Sequence, residues 1–218
     1  MIEEDEPESL RRIRDHVENV IYRIKRYSDP WNHYIIDNFF SNEIYNLLQD
    51  HFKISSKKIY TNNDGTRNHI EKRTFLTNDY AIKYNLEIIP NYIIDNLLFY
   101  EREFNIDLSN PGLRIELIQD VNGFWQKPHL DKLDKRITII INIDKDDSNN
   151  LGSSLYKDEL GSNEKQIEWK NNSALVFVPT EYTWHGLKKI DFVGERKIVI
   201  INIPDINFWR LKDTLWIK

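Results

Sequence analysis

The second half of the chain is a succession of short β-prone runs, and this limits most strongly what the sequence can fold into. Turn residues such as Asn122-Gly123, Asn171-Asn172 and Gly194 separate the runs. The runs cover residues 113–118, 124–130, 137–143, 154–156, 166–169, 174–178, 184–190 and 197–203. About eight short strands at this spacing are typical of an all-β sandwich or barrel, and a double-stranded jelly roll accommodates that number.

Two of these runs, residues 137–143 and 197–203, are almost continuously apolar. A strand that is covered on both faces has this composition, whereas a half-exposed strand alternates between apolar and polar residues. We therefore expect both runs to be central strands that form a rigid and dry scaffold for any site between them.

The first half of the chain has mainly helical patterns. An apolar stripe runs from residue 10 to residue 27 and predicts an amphipathic helix that Asp29-Pro30 ends. Ser41 is an N-cap candidate for a second helix. Further helical patterns cover residues 78–104, with an interruption expected at Pro90, and the tail at 208–216 is expected to be a short helix on the sheet.

These patterns predict an α+β fold that is mainly β. Among sandwich and barrel arrangements we expect a double-stranded β-helix (jelly roll, cupin-like) core, with the N-terminal helices packed on one face. We expect residues 1–218 to form a single domain, which is the usual organisation at this length. Residues 1–112 form the mainly helical support, residues 113–206 the jelly-roll core and residues 207–218 the C-terminal tail.

The composition excludes several classes of function. The chain has no cysteine, which rules out disulfides and thiolate zinc sites, so any metal must bind to His, Asp or Glu. A net charge of -5 argues against a nucleic acid partner. The acidic N-terminus lacks the basic and apolar regions of a secretory signal, and no apolar run approaches the about 18 residues of a membrane span. We therefore expect a cytoplasmic protein with no membrane partner.

His129 and Asp131 are two residues apart at the end of a β-prone run. On a strand, residues at this spacing point to the same face, so an imidazole and a carboxylate would project side by side. If a neighbouring strand brings His185 to them, the three groups form the two-histidine, one-carboxylate facial triad of non-haem Fe(II) oxygenases. The alternative is that both histidines are structural.

Arg196 follows His185 by eleven residues, where a strand returns into the predicted core. A guanidinium beside a buried strand needs an anion, which can come from a ligand or from the protein. Glu195 and Asp191 are the protein partners that its neighbourhood in the sequence offers.

Four other residues near these positions have two interpretations each. Asn142 and Asn202 lie in otherwise apolar strands, and a buried amide needs partners, so these side chains either face the site or cap the strand ends. Trp125 and Trp184 stand close to the candidate ligands and either wall a substrate pocket or belong to the core.

Taken in order and spacing, these pieces resemble the catalytic core of the iron(II)- and 2-oxoglutarate-dependent dioxygenases, particularly the prolyl 4-hydroxylase-like branch. The matching pieces are His129-Leu-Asp131, Trp184-His-Gly186, Gly194-Glu-Arg196 and residues 136–143, 151–155 and 172–177. Residues 34–43 are similar to the strand-then-helix opening of that branch. Gln119 and Asp120 stand where many relatives have a tyrosine that helps to hold the cosubstrate.

The resemblance implies that His129, Asp131 and His185 are the catalytic metal ligands and hold Fe(II). It implies that Arg196 binds the distal carboxylate of 2-oxoglutarate, with Asn142 and Asn202 as further cofactor-binding candidates. The implied reaction consumes O2 and 2-oxoglutarate, hydroxylates a C–H bond and releases succinate and CO2, with ascorbate as an optional addition.

The substrate is a peptide, a protein or a small molecule, and the resemblance suggests a prolyl residue in a peptide. Two alternatives stay open at this point. The first is a catalytically inactive binding module on the same fold, and the second is a cupin-type metal dioxygenase that does not use 2-oxoglutarate.

Overall fold

The computed structural model describes residues 23–54, 67–68, 71–143, 151–189, 191, 194–207 and 215–216 of the 218-residue chain. These ranges contain thirteen β-strands and four α-helices. The strands are β1 (Ile24–Tyr27), β2 (His33–Ile36), β3 (Arg67–Asn68), β4 (Glu71–Phe75), β5 (Gly112–Val121), β6 (Trp125–His129), β7 (Lys135–Asn142), β8 (Ser154–Tyr156), β9 (Lys165–Gln166), β10 (Ala174–Phe177), β11 (Trp184–Leu187), β12 (Glu195–Pro204) and β13 (Leu215–Trp216). The helices are α1 (Asn42–Ile54), α2 (Asn78–Tyr84), α3 (Ile88–Asp95) and α4 (Leu97–Phe104).

The strands form two sheets in which every pairing is antiparallel. The larger sheet has the order β1-β2-β10-β7-β12-β5-β13, with β4 also paired to β5, and the smaller has the order β3-β6-β11-β8-β9. Most neighbouring strands are far apart in the sequence, as in a jelly roll, where the chain crosses repeatedly between two sheets. The mainly β fold with a double-stranded β-helix core is thereby confirmed.

The central strands of the larger sheet are buried on both faces. Ile139 of β7 and Ile201 of β12 pack with the helices in one apolar cluster. Ile140 and Ile198 belong to a second apolar cluster between the two sheets. Successive residues of a strand point to opposite faces, so two separate cores explain why these runs are apolar at nearly every position.

The helices cover the outer face of the larger sheet. Ile44 and Leu48 of α1 and Ile93 of α3 are fully buried in the apolar cluster that also contains Ile139 and Ile201. The Ser41 hydroxyl accepts a hydrogen bond from the amide of Ile44 at 3.4 Å, in agreement with its predicted place at the start of the helix. None of the helices in the described part of the chain has the length and apolar character that crossing a membrane requires.

The helix predicted for residues 10–27 is wrong at its C-terminal end. Ile24–Tyr27 is strand β1, which pairs with β2 at the edge of the larger sheet. Residues 24 and 27 share a face of a helix, but tertiary pairing with β2 decides the conformation here. Residues 10–22 lie outside the described residues.

Two further predictions on the helices are corrected. The break in the helical region lies at Asn85, a left-handed residue that caps α2, and not at Pro90. Pro90 is the third residue of α3, where its missing amide costs no intrahelical bond. In the tail, Leu215–Trp216 is a strand that pairs with β5 and not part of a helix, while residues 208–214 are not described.

Asn172 connects the turn before β10 to the start of α1. Its carboxamide accepts a hydrogen bond from the amide of Phe40 at 2.9 Å and donates one to the carbonyl of Phe40 at 2.8 Å. Asn172 is buried and has φ of 52°, and the exposed Asn163 has φ of 51°. Asn163 is therefore a matched reference for the backbone conformation.

We expect Asn172→Gly to lower the free energy of unfolding by about 2 kcal/mol, because glycine keeps the positive φ but leaves buried backbone groups of Phe40 without this partner. Asn163→Gly should change the free energy of unfolding by no more than about 0.5 kcal/mol. Urea denaturation of both variants measures the difference. Equal effects would show that the two hydrogen bonds of Asn172 contribute nothing to stability.

Candidate metal centre

Two imidazoles and one carboxylate meet between the two sheets. His129 ends β6 and His185 lies in β11, and the two residues are direct partners across the antiparallel ladder. Asp131 follows β6 by two residues. One ligand atom from each of the three side chains lies within 4.8 Å of the other two. The structure therefore brings together the three residues that the sequence predicted as metal ligands.

Both imidazoles present Nε2 as an acceptor. Nδ1 of His129 lies 3.2 Å from the carbonyl oxygen of Lys127, and Nδ1 of His185 lies 2.9 Å from that of Thr183. A carbonyl only accepts, so Nδ1 carries the proton in each ring and Nε2 keeps its lone pair. Gln126 donates its amide to Nε2 of His129 at 3.0 Å. This tautomer is the one that a metal site fixes through a hydrogen bond on the far side of the ring.

The charge states suit a cation. Burial, together with the nearby His185, lowers the pKa of His129 to about 4. Burial also lowers the pKa of His185. Burial alone would raise the pKa of Asp131, but electrostatic interactions with His185 and Lys135 and the hydrogen bonds from Lys135 and Thr138 hold it at about 2. Near neutral pH the site therefore offers two neutral imidazoles and one carboxylate.

Two residues of β7 fix the carboxylate of Asp131. The Lys135 ammonium pairs with Oδ1, and the Thr138 hydroxyl donates to Oδ2 at 2.8 Å. Thr138 Oγ1 also lies 3.2 Å from the Asn202 carboxamide. The Asn202 atom at this distance is Oδ1, which accepts, so the single hydroxyl proton of Thr138 lies between two acceptors, with Asp131 the closer one.

A cavity of about 150 Å³ lies between the sheets and reaches all three candidate ligands. Its walls are mostly inner-face residues of the larger sheet together with parts of β6 and β11. The lining residues include Arg73, Glu116, Ile118, Asp120, Phe124, Gln126, Thr138, Ile140, Ser153, Arg196, Ile198, Ile200 and Asn202. The site thus has room beside the ligands for a small molecule.

A glycine allows the two histidine-bearing strands to approach each other. A Cβ on Gly186 would lie 2.5 Å from the carbonyl oxygen of Gln126 and 2.9 Å from that of Lys127. Both distances are too short for a real side chain. Gly186 is therefore required for the close contact of β11 with β6, which pairs His185 with His129.

The other predicted site residues have different locations. Arg196 and Asn202 line the cavity, so of the two interpretations of Asn202 the structure has the one in which it faces the site. Asn142 is on the same face of β7 as Thr138 but at the far end of the strand, where its amide donates to the carbonyl of Lys170 at 3.3 Å. Asn142 is not among the lining residues, so the geometry does not support its predicted cofactor-binding role.

The partner of Arg196 is neither Glu195 nor Asp191. Its Nη1 pairs with Asp120 of β5 at 2.5 Å, and its Nε donates to the carbonyl of Leu151 at 2.8 Å. Trp125 and Trp184 are half-buried and do not line the cavity.

Sequence reasoning missed the residues that hold the ligands. Gln126, Lys135 and Thr138 all contact His129 or Asp131, yet no motif marks them. Thr138 was recognisable only as a polar residue inside an apolar run. Asp120 was visible as a carboxylate in the place of an expected tyrosine, but its pairing with Arg196 depends on the β5–β12 register.

The donor set fits a divalent metal that accepts nitrogen and oxygen ligands. Two neutral imidazoles and a carboxylate are the ligands of the facial triad, which leaves other coordination positions open for small molecules. Each imidazole has the backbone hydrogen bond that orients a metal-binding ring. His129, Asp131 and His185 are therefore the residues that could hold iron.

Solved structures of several oxygenases have the same fold. A prolyl hydroxylase from Trichoplax adhaerens, solved in complex with a hypoxia inducible factor oxygen degradation domain peptide fragment, is 14% identical over 94% of this chain and 96% of its own, with a TM-score of 0.58. A viral collagen prolyl hydroxylase from Paramecium Bursaria Chlorella virus-1, in complex with 2-oxoglutarate, is 16% identical over 82% of this chain and 99% of its own, with a TM-score of 0.57. HygX from Streptomyces hygroscopicus, with nickel and 2-oxoglutarate bound, is 12% identical over 82% of this chain and 85% of its own, with a TM-score of 0.54.

No family model matches the sequence, and no curated protein matches it. The structural likeness spans most of the chain, and at these identities it shows the fold. The chain has the double-stranded β-helix fold of prolyl hydroxylases and related 2-oxoglutarate–Fe(II) oxygenases, so the resemblance seen in the sequence is confirmed at the level of the fold.

We expect Thr138→Val to weaken Mn²⁺ binding by about tenfold, because valine matches the shape of threonine but cannot donate to Asp131. Thr138→Ser keeps the hydroxyl and should bind Mn²⁺ about as tightly as the wild type. Isothermal titration calorimetry on metal-free protein measures both. Equal affinities for the valine and serine variants would show that the hydroxyl does not orient the ligand.

Proposed function

We propose that this protein is an Fe(II)- and 2-oxoglutarate-dependent oxygenase that hydroxylates a C–H bond and releases succinate and CO2. The observation that carries the proposal is the meeting of His129, Asp131 and His185 within 4.8 Å beside a cavity that also contains the guanidinium of Arg196. A metal triad and a cationic anchor in one small cavity suit a cosubstrate that has both a chelating end and a carboxylate end.

Each residue has a defined part in this function. Fe(II), when bound, would supply the activation of O2 and the oxidative decarboxylation of the cosubstrate. Nε2 of His129, Nε2 of His185 and the carboxylate of Asp131 would hold the metal. Thr138 and Lys135 hold the carboxylate in its orientation, and Phe177 packs against the His185 ring with centroids 4.9 Å apart.

Arg196 anchors the distal carboxylate of 2-oxoglutarate in this proposal. Its guanidinium is almost fully buried, it points into the cavity, and the carbonyl of Leu151 fixes its Nε. The apolar residues Ile118, Ile140 and Ile198 of the cluster between the sheets line the same cavity as this anchor and the candidate metal ligands.

A peptide that contains a prolyl residue is the substrate we propose to test first. The Trichoplax adhaerens enzyme with the same fold is a prolyl hydroxylase that was solved with a peptide fragment. Arg73 and Glu116, which form a 2.9 Å ion pair, bring charged groups to the cavity wall, where they could contact polar groups of a peptide.

We expect the iron-loaded protein to convert 2-oxoglutarate to succinate, and a proline-containing peptide to accelerate this conversion. Asp131→Ala should lower succinate formation by more than about 100-fold, because it removes a proposed metal ligand. Removing a residue that only hydrogen-bonds to a metal ligand costs up to about 100-fold. Asp50→Ala is the control, since Asp50 is an exposed carboxylate outside the cavity. Mass spectrometry of the peptide tests hydroxylation.

The outcomes separate the proposal from its alternatives. Iron-loaded protein that neither binds nor consumes 2-oxoglutarate would refute the proposed function. Binding of 2-oxoglutarate without accelerated turnover by any substrate would favour an inactive binding module. Oxygenase activity that needs no 2-oxoglutarate and survives Arg196→Ala would favour a cupin-type metal dioxygenase.

A further inference from the structure

The guanidinium of Arg196 already has an anion, and that anion belongs to the protein. Arg196 of β12 and Asp120 of β5 are direct partners across the ladder. Nη1 and Oδ2 lie 2.5 Å apart, and the two side chains are 4% and 1% exposed. Both residues line the cavity that contains the three candidate metal ligands. The pair is therefore part of the wall that a cavity ligand meets.

The pair occupies only part of the guanidinium. Arginine has five N–H donors, one on Nε and two on each terminal nitrogen. Nε donates to the carbonyl of Leu151 and Nη1 to Asp120, and the guanidinium lies over the Trp169 ring, 5.5 Å from its centroid. Nη2 has no hydrogen-bond partner among the described residues. Arg196 is thus held rigidly and keeps donors for one more acceptor.

The charge of Arg196 is not available in full for that acceptor. The carboxylate of Asp120 offsets the charge of the guanidinium, and both side chains are almost completely shielded from solvent. A second carboxylate on the same guanidinium would lie close to the first, and like charges repel more strongly in a buried site than in water. A ligand whose far end is uncharged would not meet this repulsion.

We propose that Asp120 competes with the cosubstrate for Arg196 and thereby sets the charge selectivity of the cosubstrate subsite. Asp120 weakens the binding of a 2-oxo acid with a carboxylate at its far end, and it leaves the binding of a 2-oxo acid with a neutral far end almost unchanged. The wild-type protein therefore discriminates little between the two. This inference rests on the proposed function, because it assumes that a 2-oxo acid occupies the cavity.

A purely positioning role for Asp120 predicts the opposite sign. If Asp120 only orients the guanidinium, its removal lets Arg196 move and weakens the binding of 2-oxoglutarate. The direction of the change therefore separates competition from positioning.

The test compares two ligands and three proteins by isothermal titration calorimetry in the presence of Mn²⁺. The ligands are 2-oxoglutarate and 2-oxopentanoate, which has a methyl group in place of the distal carboxylate. The proteins are the wild type, Asp120→Asn and the control Glu195→Gln. Glu195 is adjacent to Arg196 on β12, and its carboxylate contacts Gln119 and does not line the cavity. Binding of Mn²⁺ is measured first for each protein.

We expect Asp120→Asn to bind 2-oxoglutarate at least about tenfold more tightly than the wild type, equivalent to about 1.4 kcal/mol. The affinity for 2-oxopentanoate should change less than about threefold. Glu195→Gln should bind both ligands as the wild type does. Unchanged or weaker binding of 2-oxoglutarate by Asp120→Asn would overturn the inference while leaving the proposed function intact.

Asp120→Asn leaves a buried guanidinium without its counter-ion and can lower stability. Thermal unfolding provides a second readout, because 2-oxoglutarate should raise the melting temperature of this variant more than that of the wild type. If the variant does not fold, the affinities of the wild type for the two acids still test the inference. A wild-type preference for 2-oxoglutarate over 2-oxopentanoate above about 100-fold would overturn the inference. If Mn²⁺ binds but neither acid binds to any of the proteins, the proposed function fails and this inference fails with it.

Discussion

The fold depends on one constraint, which is that the central strands of the larger sheet are covered on both faces. The helices bury one face and the smaller sheet buries the other. Ile139 and Ile140 are neighbours in the chain, yet they belong to different cores. The polar side chains that these strands bury, such as Thr138, Arg196 and Asn202, therefore need a partner from the protein or from a ligand. Polar residues on the face of the larger sheet that is turned toward the smaller sheet therefore indicate where the candidate site lies.

In the candidate metal centre, the buried polar side chains are partnered mainly by one another and by backbone carbonyls. The pairing of β6 with β11 brings His129 and His185 together, and backbone carbonyls set the tautomer of both rings. Across the cavity, Thr138 of the larger sheet fixes Asp131, and Asp120 balances Arg196. The candidate metal ligands lie in or next to the smaller sheet, together with Gln126, while Lys135, Thr138 and Arg196 belong to the larger sheet. Both sets of side chains line the cavity between the sheets.

The sequence was most informative where the pattern is repeated and least informative where pairing across strands decides. Continuous apolar runs predicted the central strands, and the spacing of His129 and Asp131 predicted that their side chains lie together, although β6 ends at His129 and Asp131 lies beyond the strand. The edge strand Ile24–Tyr27 was mistaken for a helix because its conformation depends on β2. The Arg196–Asp120 pair joins residues 76 positions apart in the chain, so only the strand register reveals it. Asn142 lies on the same face of β7 as Thr138, but it is at the far end of the strand, where its amide donates to the carbonyl of Lys170 and does not line the cavity.

The most direct test of the central claim is a crystal structure of the protein with Mn²⁺ and 2-oxoglutarate. We expect one metal ion bound by Nε2 of His129, Nε2 of His185 and the carboxylate of Asp131. We also expect the distal carboxylate of 2-oxoglutarate to contact Arg196 in the same cavity. A metal ion at other residues, or a cosubstrate whose distal carboxylate does not reach Arg196, would contradict the account.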